Sequence, residues 1–107
     1  MATYTNKQAF LGALSATLTT VLYTVPASTS AIVASIVVTN KNTTTTRNIT
    51  MDCGTTGAAT FLSAKPVAPS DVLVFAPLSM LTTGQTIRGG QDTGTDATAI
   101  ISVVEIT

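Results

Sequence analysis

The chain has 107 residues, five basic and five acidic side chains, one cysteine and no histidine, and 45% of its residues are hydrophobic. This length fits a single domain that buries roughly 65% of its unfolded surface, so folding requires neither a metal nor a disulfide. The formal net charge is zero and the five cations are scattered along the chain, which excludes the basic stripe of a nucleic-acid-binding protein.

The N-terminal 16 residues differ in pattern from the rest. Asn6 is a suitable cap for one helical turn over residues 7–11, and Phe10, Leu11 and Leu14 would form its apolar stripe. The alternatives are an extended arm that packs across a neighbouring subunit and a lid over one end of the chain's own domain. An apolar terminus is expected to dock somewhere. We therefore divide the chain into an N-terminal arm or short helix (1–16) and a β domain (17–107).

Residues 17–107 are rich in β-branched side chains, since threonine supplies about a fifth of the whole chain and glutamate occurs once. Such a composition predicts an all-β fold. Glycine, proline, asparagine and aspartate mark turns at short intervals, and the segments between them are predicted strands: 17–25, 31–40, 46–53, 59–63, 71–76, 85–88 and 97–106. This spacing predicts an antiparallel β-sandwich or jelly roll of about seven to eight strands.

Two of these strands are apolar on both faces. In 31–40, one face carries Ile32, Ala34, Ile36 and Val38, and the other carries Val33 and Val37. In 97–106, one face carries Ile100, Val104 and Ile106, and the other carries Ala97, Ala99, Ile101 and Val103. Only one face of each strand can fill the domain's own core. The surplus predicts a subunit of an assembly.

Catalytic chemistry is not predicted. The missing histidine removes the commonest general base and metal ligand. Asp92-Thr93-Gly94 matches the aspartic protease signature, but it follows Arg88 to Gln91, which we interpret as a flexible polar loop unable to hold a rigid carboxylate pair. Asp92 and Asp96 offer too few oxygens for calcium, and a turn with Asx-type hydrogen bonds is favoured instead. We expect no enzyme activity, metal, cofactor or small-molecule ligand.

Cys53 is predicted to be a small buried side chain. Residues 7–26 imitate a secretory signal imperfectly, because threonines interrupt the apolar run and no Ala-x-Ala site follows. We expect synthesis in the host cytoplasm, and no membrane span, since no apolar run approaches 18 residues.

The order of several segments resembles that of small structural proteins of tailed bacteriophages. The segments are Leu22-Tyr23-Thr24-Val25-Pro26-Ala27-Ser28, Ala31 to Asn40, Val72-Leu73-Val74, Leu81-Thr82-Thr83-Gly84-Gln85-Thr86-Ile87-Arg88 and Ile101 to Ile106. The resemblance spans roughly residues 17–107. It implies a compact β-sandwich in the virion, and a partner-specific contact in the variable stretch between Thr50 and Ser70.

The leading functional hypothesis is a capsid cement (decoration) protein that acts as a homotrimer and clamps the major capsid protein. A tail, baseplate or fibre component with the same fold is the alternative, and a carbohydrate-binding or receptor-binding module is an alternative of another class. No nucleic acid or membrane partner is expected. The predicted partner interface consists of Tyr4, Phe10, Leu11 and Leu14 from the arm and Val33, Val37, Ile101 and Val103 from the strands.

Overall fold

The computed structural model describes residues 2–55, 58–78 and 80–107, and its strands form two antiparallel sheets that pack face to face. The first sheet has the order β1-β9-β3-β6, with β7 also beside β3, and the second has the order β2-β8-β4-β5. The strands are β1 (Tyr4–Ala13), β2 (Val21–Thr24), β3 (Ser30–Asn40), β4 (Arg47–Gly54), β5 (Ala59–Val67), β6 (Val72–Phe75), β7 (Met80–Leu81), β8 (Thr86–Gln91) and β9 (Ala97–Ile106).

The strands pair as nested hairpins. β4 pairs with β5 at the centre, β3 with β6 and β7 outside it, then β2 with β8, and finally β1 with β9. With β6 and β7 counted as one interrupted edge, this is the order of a jelly roll. The predicted all-β, antiparallel class is confirmed. The described residues contain nine strands, two more than the seven predicted segments, because β1 and the short β7 were not predicted.

The core lies between the two sheets. The first sheet contributes Ile36 and Ile101, and the second contributes Ile49, Met51 and Ile87, all with no exposed surface. Within the described residues, the structure contains no helix long and apolar enough to cross a membrane.

A bulge in β3 changes which residues face this core. Pairing with β9 shifts register between Val33 and Ser35, so Ala34 is an extra residue and the inward side changes phase there. Val33 therefore lies in the core with Ile36 and Val38, and Ile32 and Val37 face outward. The prediction that Ile32, Ala34, Ile36 and Val38 share one face of the strand is wrong for this reason. In β9, which has no such interruption inside its apolar run, Ala97, Ala99, Ile101 and Val103 all face the core.

Residues 4–13 form strand β1, so the predicted short helix is wrong. β1 pairs with β9 from Tyr4 opposite Ile106 to Ala13 opposite Thr98. The ladder satisfies one side of the β1 backbone and brings the fully buried Leu14 into the core, which a helical turn would not do. The segment is extended, as the alternative prediction of an arm requires, but it pairs with strand β9 of its own chain.

The predicted polar loop at residues 88–91 is also wrong, since these residues belong to strand β8. Its two glycines are required by close approach. A Cβ at Gly89 would come within 2.6 Å of the Met51 Cγ, and one at Gly90 within 2.5 Å of the Ser15 carbonyl oxygen. Backbone and core therefore occupy the space that a side chain would need.

Two buried amide side chains hold one end of the sandwich. Asn40 donates to the carbonyl oxygens of Thr45 and Val67, both at 2.9 Å, and accepts from the Asn42 N–H at 3.0 Å. Gln91 donates to the carbonyls of Leu14 and Ala97. Asn40 thus links the end of β3 to the loop before β4 and to the last residue of β5.

Asn40→Ala is expected to lower the free energy of unfolding by about 1–3 kcal/mol, because carbonyls that are buried with Asn40 would lose their donor. Urea unfolding followed by circular dichroism measures the change. Thr43→Ala, an exposed change in the same loop, serves as the control and should stay within about 0.5 kcal/mol of wild type. Equal stability of the two variants would contradict the role given to Asn40.

Candidate interaction surface

The outward face of the first sheet carries a continuous apolar row. Leu11 in β1 lies opposite Ile100 in β9, Ile100 lies opposite Val37 in β3, and Val37 lies opposite Val74 in β6. Leu11 is 65% exposed, Ile100 38% and Val74 62%. Four neighbouring strands therefore present aliphatic side chains to solvent along one line.

A second apolar row lies toward the other end of the sheet. Val104 lies opposite Ile32, and Ile32 lies opposite the exposed Met80 in β7. Between the two rows is an open depression of about 310 Å³, whose lining includes Lys7, Gln8, Ser102 and the bulge residue Ala34. The Lys7 ammonium itself lies 3.4 Å from the Glu105 carboxylate and 5.9 Å from the centre of the Tyr23 ring. The register shifts in β1 and β3 flank Ser102, so the bulges make the face concave at this point.

The outward face of this sheet carries no charged side chain among the described residues. Its positions, read from the strand pairing, are Tyr4, Asn6, Gln8, Leu11, Ala13, Ser30, Ile32, Ser35, Val37, Thr39, Val72, Val74, Met80, Thr98, Ile100, Ser102, Val104 and Ile106. We call this set the outer face. An uncharged, largely apolar face suits contact with a neutral protein surface and not with an ionic ligand.

The ionic pairs lie elsewhere in the described part of the chain. Arg88 and Asp52 form a two-pronged pair at 3.0 and 3.1 Å across β8 and β4 of the second sheet. Hydrogen bonding to Asp52 raises the pKa of Arg88. This pair gives the second sheet a polar exterior that differs in character from the outer face.

A polar cluster joins the two sheets beside β1. The Tyr23 hydroxyl in β2 donates to Glu105 Oε2 in β9 at 2.6 Å, and the Lys7 ammonium in β1 lies 3.4 Å from the same oxygen. Burial, followed by the hydrogen bond to Glu105, raises the pKa of Tyr23 well above its usual range. The cluster links β1 and β9 of the first sheet to β2 of the second.

The acidic loop after β8 is a structural turn. The Asp92 carboxylate accepts the N–H of the next residue, Thr93, at 2.9 Å. The predicted Asx-type bond, to the backbone two residues on, is not the one that Asp92 makes. Hydrogen bonds from Asn42 and then Arg47 hold the pKa of Asp96 below its usual range. No group of three or more potential metal-ligating side chains occurs in the described residues, and the half-buried Cys53 packs against the core.

The structure separates the eight predicted interface residues into two groups. Tyr4 and Leu11 are exposed and Val37 is half-buried on the outer face, whereas Phe10 is half-buried against the core. The other four are core residues with 2% exposure or less, and their assignment to a partner interface is wrong: Leu14, Val33, Ile101 and Val103. The β3 bulge places Val33 in the core. In β9 the apolar set that faces the core is Ala97, Ala99, Ile101 and Val103.

Sequence reasoning missed the apolar residues at the β6–β7 edge. Val72, Val74, Leu78 and Met80 are 50–68% exposed. Their alternation with Leu73 and Phe75 was visible in the sequence, but alternation alone does not tell which side faces solvent when both sides are apolar.

No protein-family model matches the sequence, and no curated protein matches it significantly. Solved structures do share its fold. A chain of the T13 IBDV viral particle superposes with a TM-score of 0.55 at 12% identity, over 98% of this chain and 31% of that one. A chain of the capsid of Helicobacter pylori bacteriophage KHP30 superposes with a TM-score of 0.53 at 10% identity, over 100% of this chain and 94% of that one.

The present chain thus spans about a third of the length of the IBDV chain but nearly the whole KHP30 chain. At these identities the likeness concerns the fold alone. The chain has a jelly-roll fold that also occurs in chains of a bacteriophage capsid and of an IBDV particle.

Proposed function

We propose that the chain is a virion structural protein, and specifically a capsid cement protein that decorates the major capsid lattice as a homotrimer. The outer face is the observation that carries this proposal: the jelly roll leaves an uncharged, largely apolar sheet face uncovered. Contiguous exposed apolar patches on small soluble domains mark protein contact sites.

A solved structure of similar length supports a role in the virion. The KHP30 chain is only slightly longer than this one, so a jelly roll of this size occurs by itself in a phage capsid structure. In the proposed role the outer face, centred on Val37 and Ile100, covers apolar surface of the major capsid protein. Location on the capsid surface follows from that contact.

Copy number and position in the virion test this proposal. We expect hundreds of copies per particle by quantitative mass spectrometry, and density for the jelly roll on the capsid surface by electron microscopy. A few to a few dozen copies, with density at the tail, would assign the chain to the tail, baseplate or fibre instead. Absence from purified virions would overturn the structural role altogether.

A further inference from the structure

The β1 edge of the first sheet has unpaired backbone groups beside exposed apolar side chains. Thr3 and Thr107 exchange both backbone hydrogen bonds, at 2.8 and 2.9 Å. Because bonded and non-bonded pairs alternate in an antiparallel ladder, the N–H and C=O groups of Tyr4, Asn6 and Gln8 point away from β9. Beyond the bulge, the Leu14 N–H donates to Ala97 at 2.8 Å, so Leu11 also points its backbone to the open edge.

The opposite edge of the same sheet has the same arrangement. The Asn40 N–H donates to the Asp71 carbonyl at 3.0 Å, so the alternation directs the backbone groups of Val72 and Val74 away from β3. Leu78 and Met80 add exposed apolar surface beside them. The Val72 N–H donates to the Asp71 carboxylate at 2.8 Å, so Val74 is the residue of β6 that offers its backbone groups to an added strand. Both edges of one sheet therefore combine outward-pointing backbone groups with apolar side chains.

The two edges fit each other in direction and in register. Each strand of β1-β9-β3-β6 is antiparallel to its neighbour, so β6 runs opposite to β1. A second copy placed beside the first in the same orientation brings its β1 antiparallel to the first copy's β6. In the flush register its Leu11 lies opposite Val74, and the apolar row of the outer face continues from one copy to the next.

The edges of the second sheet are less suited to strand addition. β2 has only four residues. β5 contains Lys65 and Pro66 and two register shifts against β4. Short edges, lysine, proline and bulges are features that block strand addition.

We propose that the β1 edge of one copy of this chain binds the β6–β7 edge of a second copy, head to tail, by strand addition. Pairing β1 with β1 of another copy would leave Val72, Val74, Leu78 and Met80 uncovered, whereas the head-to-tail contact covers both edges. A contact between two different surfaces makes an open array when copies are related by translation alone. It closes into a ring when each copy is also rotated, and a trimer requires a rotation of about 120° at each contact. This contact would join the subunits of the homotrimer proposed above. The inference rests on the proposed function in that respect alone.

Engineered cysteines test the contact in the full chain. In a Cys53→Ser background, Leu11→Cys combined with Val74→Cys places two thiols in opposed strands about 5.5 Å apart at Cα, within disulfide range. Within one chain the two positions are three strand spacings, about 14 Å, apart, so any disulfide joins two copies. Mild oxidation is expected to convert more than half of the protein to reducible dimers and trimers on non-reducing gels.

Leu11→Cys combined with Thr60→Cys, which places the second thiol on exposed β5, is the matched control and should remain monomeric on the gel. Equally efficient dimers from Leu11→Cys alone would indicate β1–β1 pairing and overturn the proposal. So would a chain that sediments as a monomer and does not cross-link. If the chain decorates capsids normally but does not cross-link, the strand contact is wrong and the proposed cement role is retained.

Discussion

Val103→Lys is expected to leave the chain unfolded. Val103 is 1% exposed and lies in β9, between β1 and β3, with its side chain directed at the second sheet. A lysine there would bury an ammonium opposite Lys7, and the Glu105 carboxylate on the same side of β9 already pairs with Tyr23 and Lys7. The buried charge would cost several kcal/mol and the longer side chain would overfill a packed core. Small domains are stable by only roughly 5–15 kcal/mol in total. Far-UV circular dichroism and urea unfolding measure the loss.

Two control variants separate charge from packing and core from surface. Val103→Ala should remain folded and lose about 2 kcal/mol, because it removes buried methyl groups without introducing a charge. Ser102→Lys places the same ammonium on the neighbouring position, whose side chain lies on the outer face, and should retain the native spectrum. A cooperatively folded Val103→Lys within about 1 kcal/mol of wild type would show that Val103 does not face the core.

The fold class could be predicted because it depends on features spread over the whole sequence. β-branched residues and regularly spaced turn residues favour short antiparallel strands wherever they occur. The span of β9 was therefore predicted to the residue, and those of β3 and β4 to within one residue at each end. The nested pairing order was not predicted, because it depends on contacts between residues distant in sequence.

The face assignment failed where one residue changes the phase. Ala34 is an extra residue in β3, and it moves Val33 to the core side. A small apolar residue in an apolar run carries no signal that it is a bulge. The surplus of apolar strand surface was predicted, and Val37 was among the residues assigned to it. The structure adds Ile100 and Val74, and places Ile101 and Val103 in the core instead.

Strand β1 was not predicted, for a different reason. Its segment Tyr4 to Gln8 is polar and has no buried face of its own, so its stability as a strand comes from backbone pairing with β9. Gly89 and Gly90 suggested a loop because glycine is depleted in strands, yet tertiary packing against Met51 and Ser15 requires them. Both errors arise where long-range contacts override local preference.

Val37→Lys is expected to abolish binding to the particle while the chain remains folded. Val37 is half-buried at the centre of the apolar row, between Ile100 and Val74. In the free chain a lysine at this position can extend its ammonium into water, so the circular dichroism spectrum and the unfolding midpoint should change little. Against the capsid the same ammonium would be buried without a partner, and a cost of about 3 kcal/mol lowers the affinity by more than 100-fold.

The measurement is the occupancy of particles stripped of the protein and incubated with purified variant, read by co-sedimentation and electron microscopy. Thr60→Lys, which adds the same charge on exposed β5 of the second sheet, should bind as wild type does. Because Val37 lies on an inner strand of its sheet, away from both edges, the variant should also retain the wild-type oligomeric state in sedimentation. Full occupancy by a folded Val37→Lys would exclude the outer face as the capsid contact, whereas loss of occupancy with the oligomer intact would assign capsid binding to the outer face and self-association to its edges.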